Sequence, residues 1–153
     1  MINMAAQTKE VEIKVVDGKD KVMGRLASQV AKMVLNGSEV AVLNAEHVFI
    51  SGHPKQIIAN YKRKLELQDK ANPEHSPYHS RRADLFVKRA IRGMLPFKKP
   101  KGKAAYKLLK VYIGVPEEFK KAKMVEVKTA NPHQVFESTI SVKELVAKLG
   151  YNK

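Results

Sequence analysis

Three places in this sequence of 153 residues carry side chains spaced for chemistry. The first is the turn Asp17-Gly18-Lys19-Asp20 running into Met23-Gly24-Arg25-Leu26-Ala27-Ser28. A strand that turns into a helix N-terminus offers backbone N–H groups and the positive end of a helix dipole to a phosphate. Arg25, in the first turn, would add a cation. The stretch has neither the P-loop nor the dinucleotide glycine pattern, so a plain structural turn is the stronger reading. The second place is the histidines. His75 and His79 are four apart, but Pro77 between them breaks the helix that would align them on one metal ion. No cysteine is available, and Glu74 is a poor third ligand. Glu46 and His47 are adjacent, and neighbours on a strand point to opposite faces, so they are not expected to act as one acid–base unit. Ser51-Gly52-His53 lacks the glycine-serine-glycine elbow of a hydrolase nucleophile.

The third place is the stretch Arg81 to Lys110, with eleven Lys or Arg against one acid, Asp84, a net +10 within a chain of formal charge +14. Residues 1–80 hold eleven bases and nine acids, and residues 111–153 hold seven and five. A nearly balanced protein with one cationic middle points to a polyanion as partner. With Asp84 as N-cap, a helix from Leu85 to Leu95 puts Arg92 about 40° and Arg89 about 100° round from Lys88, and gathers Phe86, Val87, Ala90, Ile91, Met94 and Leu95 on the other side. In a following helix Lys103, Lys107 and Lys110 share a face. Solvated helix faces usually interleave signs, because opposite charges four apart help and like charges hurt. This segment tolerates self-repulsion, as it would if phosphates neutralise it on binding. Pro96 and Pro100 are expected to hold Lys98, Lys99 and Lys101 on a stiff extended strap, with Gly93 and Gly102 allowing close approach to another surface. Phe97 is the one aromatic of the strap and is read as a core plug before a base-stacking group. Without interleaved aromatics, contacts to phosphate and shape should dominate over base reading.

Elements must position these groups. Val11, Ile13 and Val15 alternate with Glu12 and Lys14 as in a half-buried strand. A helix from about Met23 to Asn36 has Leu26, Ala27, Val30, Ala31, Met33, Val34 and Leu35 on one face, and Gly37 can stop it. Val40 to Leu43 is continuously apolar, as a strand covered on both sides would be, and Val48 to Ile50 looks like another. Strand, helix and strand form a βαβ unit, which predicts a parallel pair with a right-handed crossover. Pro54 opens a second helix with Ile57, Ile58, Tyr61 and Leu65 at helical spacing. Residues 68–83 read as a long loop. Val111, Tyr112 and Ile113 look like a final core strand. Ser141 and Glu144 have capping-box spacing before Leu145, Val146 and Leu149, with Gly150 as terminator.

The hydrophobic fraction of 44% suits a packed core, and zero cysteines exclude disulfides and thiolate chemistry. No apolar run reaches the roughly 18–20 residues that span a bilayer, so no membrane is expected and the cytoplasm is the default location. The reading is a flexible N-terminal arm, 1–10, and a single α/β domain, 11–153.

Taken together, several motifs resemble one family, the universal large-ribosomal-subunit protein thirteen family in its archaeal and eukaryotic branch. They are Gly24-Arg25-Leu26-Ala27-Ser28, Leu43-Asn44-Ala45-Glu46, Ile50-Ser51-Gly52, Arg92-Gly93-Met94-Leu95-Pro96, Lys101-Gly102-Lys103-Ala104 and Val111-Tyr112-Ile113-Gly114-Val115-Pro116. Each alone is weak, and their order and spacing are specific. The resemblance implies a three-layer α/β/α domain around a small, mainly parallel sheet. It implies a structural role in the large ribosomal subunit, with ribosomal RNA and neighbouring ribosomal proteins as partners, and no cofactor, small-molecule substrate or enzymatic activity. The bases expected at RNA are Arg81, Arg82, Lys88, Arg89, Arg92, Lys98, Lys99, Lys101, Lys103 and Lys107, joined from other helices by Arg25, Lys62 and Arg63. The alternatives are a small nucleotide- or phosphate-using α/β enzyme built on Asp17–Ser28, and a free regulatory RNA-binding protein.

Overall fold

The computed structural model describes residues 13–127 and 138–151. The expected arm, Val11 and His133 lie outside them. Three short strands form the central sheet in the order β1 (Lys14–Asp17), β2 (Val40–Leu43), β4 (Leu109–Val111), all parallel. The register runs Lys14↔Val40 to Asp17↔Leu43 and Val40↔Leu109 to Val42↔Val111. The βαβ reading of residues 14–43 therefore holds. The alternation expected in the first strand does not. Ile13 is exposed, and Val15 and Val16 are both buried. Ile13 precedes the strand, and within it the sheet is covered on both faces, so successive side chains both find a core. The free edge of β1 is occupied too: the Val125 N–H donates to the Val15 carbonyl at 2.7 Å.

On one face Val16, Val40, Val42 and Leu109 pack with α1 (Met23–Leu35), α3 (Ala83–Gly93) and α4 (Pro100–Lys107). Helix α1 contributes Leu26, Ala27, Val30, Ala31 and Val34, the stripe expected from its spacing, and Gly37 leaves it with φ +86°. On the other face Val15, Ala41 and Leu43 meet Phe119, from the 3₁₀ turn Glu117–Phe119, and the half-buried Tyr112. This gives a thin third layer.

Beside the main sheet lies a second ladder. β3 (Phe49–Ser51) pairs antiparallel with β5 (Thr139–Ser141), so the strand at Val111 is not the last. Ser141 then caps α5 (Val142–Lys148), its hydroxyl accepting from the Glu144 N–H at 3.2 Å, and Gly150 follows with φ +91°. Helix α2 (Pro54–Glu66) has no fully buried residue. It is seated by Ile57, Ile58, Tyr61 and Leu65 on a satellite cluster of Ile140, Leu145 and Leu149. Among the described residues no helix is long and apolar enough to cross a membrane.

Candidate nucleic-acid interface

Helix α3 carries the cationic middle. Ala83, Val87 and Ile91 are its buried stripe, so Lys88, Arg89 and Arg92 must lie off the core. The helix begins earlier than the sequence suggests. Arg82 is the N-cap residue, and Asp84 sits in the first turn instead of capping it. From there Asp84 takes two hydrogen bonds from the Arg82 guanidinium, Nε to Oδ1 at 3.1 Å and Nη2 to Oδ2 at 2.8 Å. That fork raises the Arg82 pKa, first through the hydrogen bond and then through the charge of Asp84. Arg82 is thus already matched to an anion within the protein. Arg89 is tied as well, Nη1 donating to the Tyr78 carbonyl at 2.7 Å and fastening the preceding loop to α3.

The segment after α3 is not an extended strap. Lys99 N–H donates to the Pro96 carbonyl at 2.9 Å, closing a tight turn, and Pro100 is already the first residue of α4. Proline at that position costs no helical hydrogen bond, which is why the helix starts there and takes Lys101 with it. Gly102 packs against this turn. A Cβ on Gly102 would stand 2.1 Å from the Pro96 carbonyl oxygen and 2.9 Å from the Phe97 nitrogen. Its close approach is to its own chain, not to an outside surface, and Gly93 has open space around it.

Rings hold the junction of α3, turn and α4. Phe97 and Tyr106 meet edge to face, centroids 5.4 Å apart. The Lys88 ammonium lies 5.0 Å from the Tyr106 ring and the Arg92 guanidinium 5.1 Å from the Phe97 ring. Both cations are half-buried, and Phe97 is neither a core plug nor a free stacking platform. Lys98, Lys99, Lys101, Lys103 and Lys107 are exposed, and among the described residues none pairs with an acid. Lys110 does not join them. It lies on β4, where a hydrogen bond and ion pair with Glu39 raise its pKa.

The other expected cations sit elsewhere. Arg25 is exposed on the first turn of α1. Lys62 and Arg63 are exposed on α2, which reaches α3 through the Tyr61–Phe86 ring pair at 5.1 Å. Arg81 lies beside Gly150 at the far end of α3. The bases therefore fall into two groups, one on the turn and α4, the other around α2 and the start of α3. Two side chains of the second group were not expected there: Lys64, and His79, which the sequence offered only as a metal ligand beside His75. The signal for Lys64 was available, since it is three residues from Tyr61, and its ammonium lies 4.8 Å from that ring. Nothing in the sequence pairs His79 with a cation, and only the fold sets it near Lys64 and Arg89. Its pKa is lowered, mainly by burial and then by Arg89 and Lys64. The loop before α3 is braced by its own side chains, Asp69 accepting from Ala71 and Asn72 N–H groups and Asn72 from that of Glu74.

The turn at Asp17 is filled by protein. Asp17 Oδ1 accepts from Lys19 N–H and from Asn44 Nδ2. A Cβ on Gly18 would meet the Leu43 carbonyl at 2.8 Å, and the Phe49 N–H donates to the Lys21 carbonyl just ahead of α1. Glu46 and His47 lie not on a strand but in the 3₁₀ turn Ala45–His47 after β2, their side chains 3.7 Å apart, and the Glu46 carboxylate takes the Gly114 N–H at 3.0 Å. Polar groups at the carboxyl ends of these strands thus hold the chain together, which disfavours the phosphate-site alternative. Among the described residues no three His, Asp or Glu gather as a metal site.

Comparison with known proteins agrees with this geometry. The family model for ribosomal protein L13 matches residues 12–118, which covers the main sheet, α1 to α4 and the cationic turn. The large ribosomal subunit protein uL13 of Methanosphaera stadtmanae is 41% identical over 127 residues, 82% of this chain and 89% of that protein. Its counterpart from Methanocaldococcus jannaschii is 47% identical over 104 residues, 67% and 76% of the two chains. That from Methanococcoides burtonii is 44% identical over 116 residues, 76% and 81% of the two.

Proposed function

Because the chain belongs to the ribosomal protein L13 family, we propose that its turn and α4 are the face that meets large-subunit ribosomal RNA. The protein is a structural constituent of the large ribosomal subunit, not an enzyme, and works on the ribosome in the cytoplasm among other ribosomal proteins. One observation carries the choice of face. Lys98, Lys99, Lys101, Lys103 and Lys107 stand exposed without acid partners on a turn and helix locked together at Gly102. Five like charges on a preset scaffold repel one another in the free protein and lose that repulsion when phosphates neutralise them.

Lys88 and Arg92 support the same face from their rings. Arg81, Lys62, Arg63 and Arg89 form a second contact region around α2, and Arg25 a flank on α1. Arg82 is a weaker contact than its neighbours, since Asp84 already neutralises it. Residues 11–153 act as one domain in this reading.

The test is RNA affinity as a function of salt, using large-subunit ribosomal RNA. The logarithm of affinity should fall linearly with the logarithm of salt, and Lys101→Ala should reduce the magnitude of that slope by about 0.7–0.9. A flat salt dependence would sink the reading. Sedimentation separates the scaffold from a free regulatory protein: the chain should travel with large subunits at low salt, and absence from them at every salt concentration would refute the scaffold role.

A further inference from the structure

Between α2 and α3 a cavity of about 180 Å³ opens to solvent. Tyr61, Leu65, Phe86 and Leu149 make its walls, and Lys64, His79 and Arg89 stand among its lining. Among the described residues no Asp or Glu lines it. The cavity is smaller than the roughly 300–1,000 Å³ of sites that enclose a whole small molecule. It is sized for one ring system with the rest of its carrier outside. We propose that this cavity takes a single unstacked nucleobase of the ribosomal RNA, with the phosphates flanking that base held by Lys64 and Arg89. The proposal rests on the RNA-binding reading above and adds a base contact to it.

Three features favour a base over other occupants. The Tyr61 and Phe86 rings, tilted 59° to each other, give a planar ring both an edge and a face to meet. The two rings are packed on each other at 5.1 Å and the Lys64 ammonium lies 4.8 Å from the Tyr61 ring, so an aromatic wall and a cation already stand together at the cavity. His79 lines the cavity, and burial, then Arg89 and Lys64, lower its pKa, which favours the neutral ring whose two nitrogens offer one donor and one acceptor to a base edge. The charges decide the rest. An apolar side chain from a neighbouring protein would fill the walls but bring no anion to Lys64 and Arg89, whereas a nucleotide brings the ring and the anions together. Bases extruded from loops and bulges, stacked on aromatic rings and read at their edges, are the usual route to sequence-specific contact with RNA.

Ala90→Leu tests this, since Ala90 lines the cavity and the larger side chain fills it without changing charge. The wild-type protein should protect the base edges of one or two unpaired nucleotides of large-subunit RNA from chemical modification. Ala90→Leu should lose those protections and bind about 10-fold more weakly, as expected for a lost base–aromatic stack, with its salt slope unchanged. His79→Ala, in the loop, gives the same readout should the first variant not fold. A folded variant of either kind that keeps the protections and the affinity overturns the proposal. So does a cross-linker at Leu85 that captures a protein and not RNA in assembled subunits. Loss of all salt-dependent binding by the wild type is a separate result that removes the RNA reading itself.

Discussion

Gly102→Ala pits two known effects against each other. Gly102 lies inside α4 and has no positive φ, so alanine suits its backbone and helix propensity alone favours the change by about 1 kcal/mol. Packing opposes it. The new Cβ would stand 2.1 Å from the Pro96 oxygen and 2.4 Å from its carbonyl carbon. Both are backbone atoms, so no rotamer change relieves the clash, and α4 must move by about 1 Å or the turn must open. Forced overpacking of this kind costs about 1–3 kcal/mol. Separating the turn from α4 also weakens the Phe97–Tyr106 contact, worth about 0.5–1.5 kcal/mol. The balance is a net loss of about 0.5–3.5 kcal/mol. Urea unfolding followed by circular dichroism measures it. RNA affinity should fall as well although no charge is removed, because Lys98 and Lys99 on the turn would no longer be registered with Lys101, Lys103 and Lys107. If Gly102→Ala is as stable as wild type or more so, the helix is not seated on the Pro96 carbonyl and the argument for a preset edge fails.

Gly93→Ala is the matching control: with nothing within 4 Å of the added Cβ, it should be neutral or stabilising by up to about 1 kcal/mol in the same unfolding assay. Arg82→Ala should change the RNA salt slope less than Lys101→Ala does, because Asp84 already neutralises Arg82; equal effects would show that RNA breaks the Arg82–Asp84 fork. His79 should titrate below its usual value of about 6.5 in the free protein, seen by NMR, and Arg89→Gln should bring it upward. Because the folded state binds this proton more weakly than the unfolded chain, the His79 contribution to stability is whole above about pH 6.5 and is lost as pH falls through the lowered folded pKa; a stability rising on acidification through that window would contradict it.

Local patterns carried some of these features and not others. The α1 stripe, the Gly37 stop and the Ser141–Glu144 cap follow from spacing within one turn of helix, and each reads directly from neighbouring residues. The expected alternation of Val11, Ile13 and Val15 fails because Ile13 lies ahead of β1, and because Val15 and Val16 are both buried under a two-sided cover that comes from distant segments, including Phe119. The start of α3 lies ahead of Asp84 because the carboxylate binds Arg82 side chain to side chain, a partnership that competes with capping. Proline at 100 has two meanings, extended spacer or first helical residue, and the contact of Gly102 with Pro96 belongs with the second. The cationic edge was visible as charge. Its division into two groups was not, because the second depends on α2 meeting α3 through residues 25 positions apart, Tyr61 and Phe86.

The β3–β5 ladder has a consequence for the order in which the molecule is made. Synthesis is vectorial, and chains begin to fold as they emerge. The three strands of the main ladder are paired with one another, and the α3–turn–α4 edge is formed, once Tyr112 is in place, its N–H donating to the Val42 carbonyl; the Val15 carbonyl on the β1 edge waits only for Val125. The cluster that seats α2 waits for Ile140, Leu145 and Leu149, and β3 must pair across about 90 residues with β5, the kind of distant closure that is slow to form. A nascent chain therefore presents its lysine-bearing edge before it finishes the wall at Leu149. The first phosphate contacts can form while the α2 cleft is still open on one side.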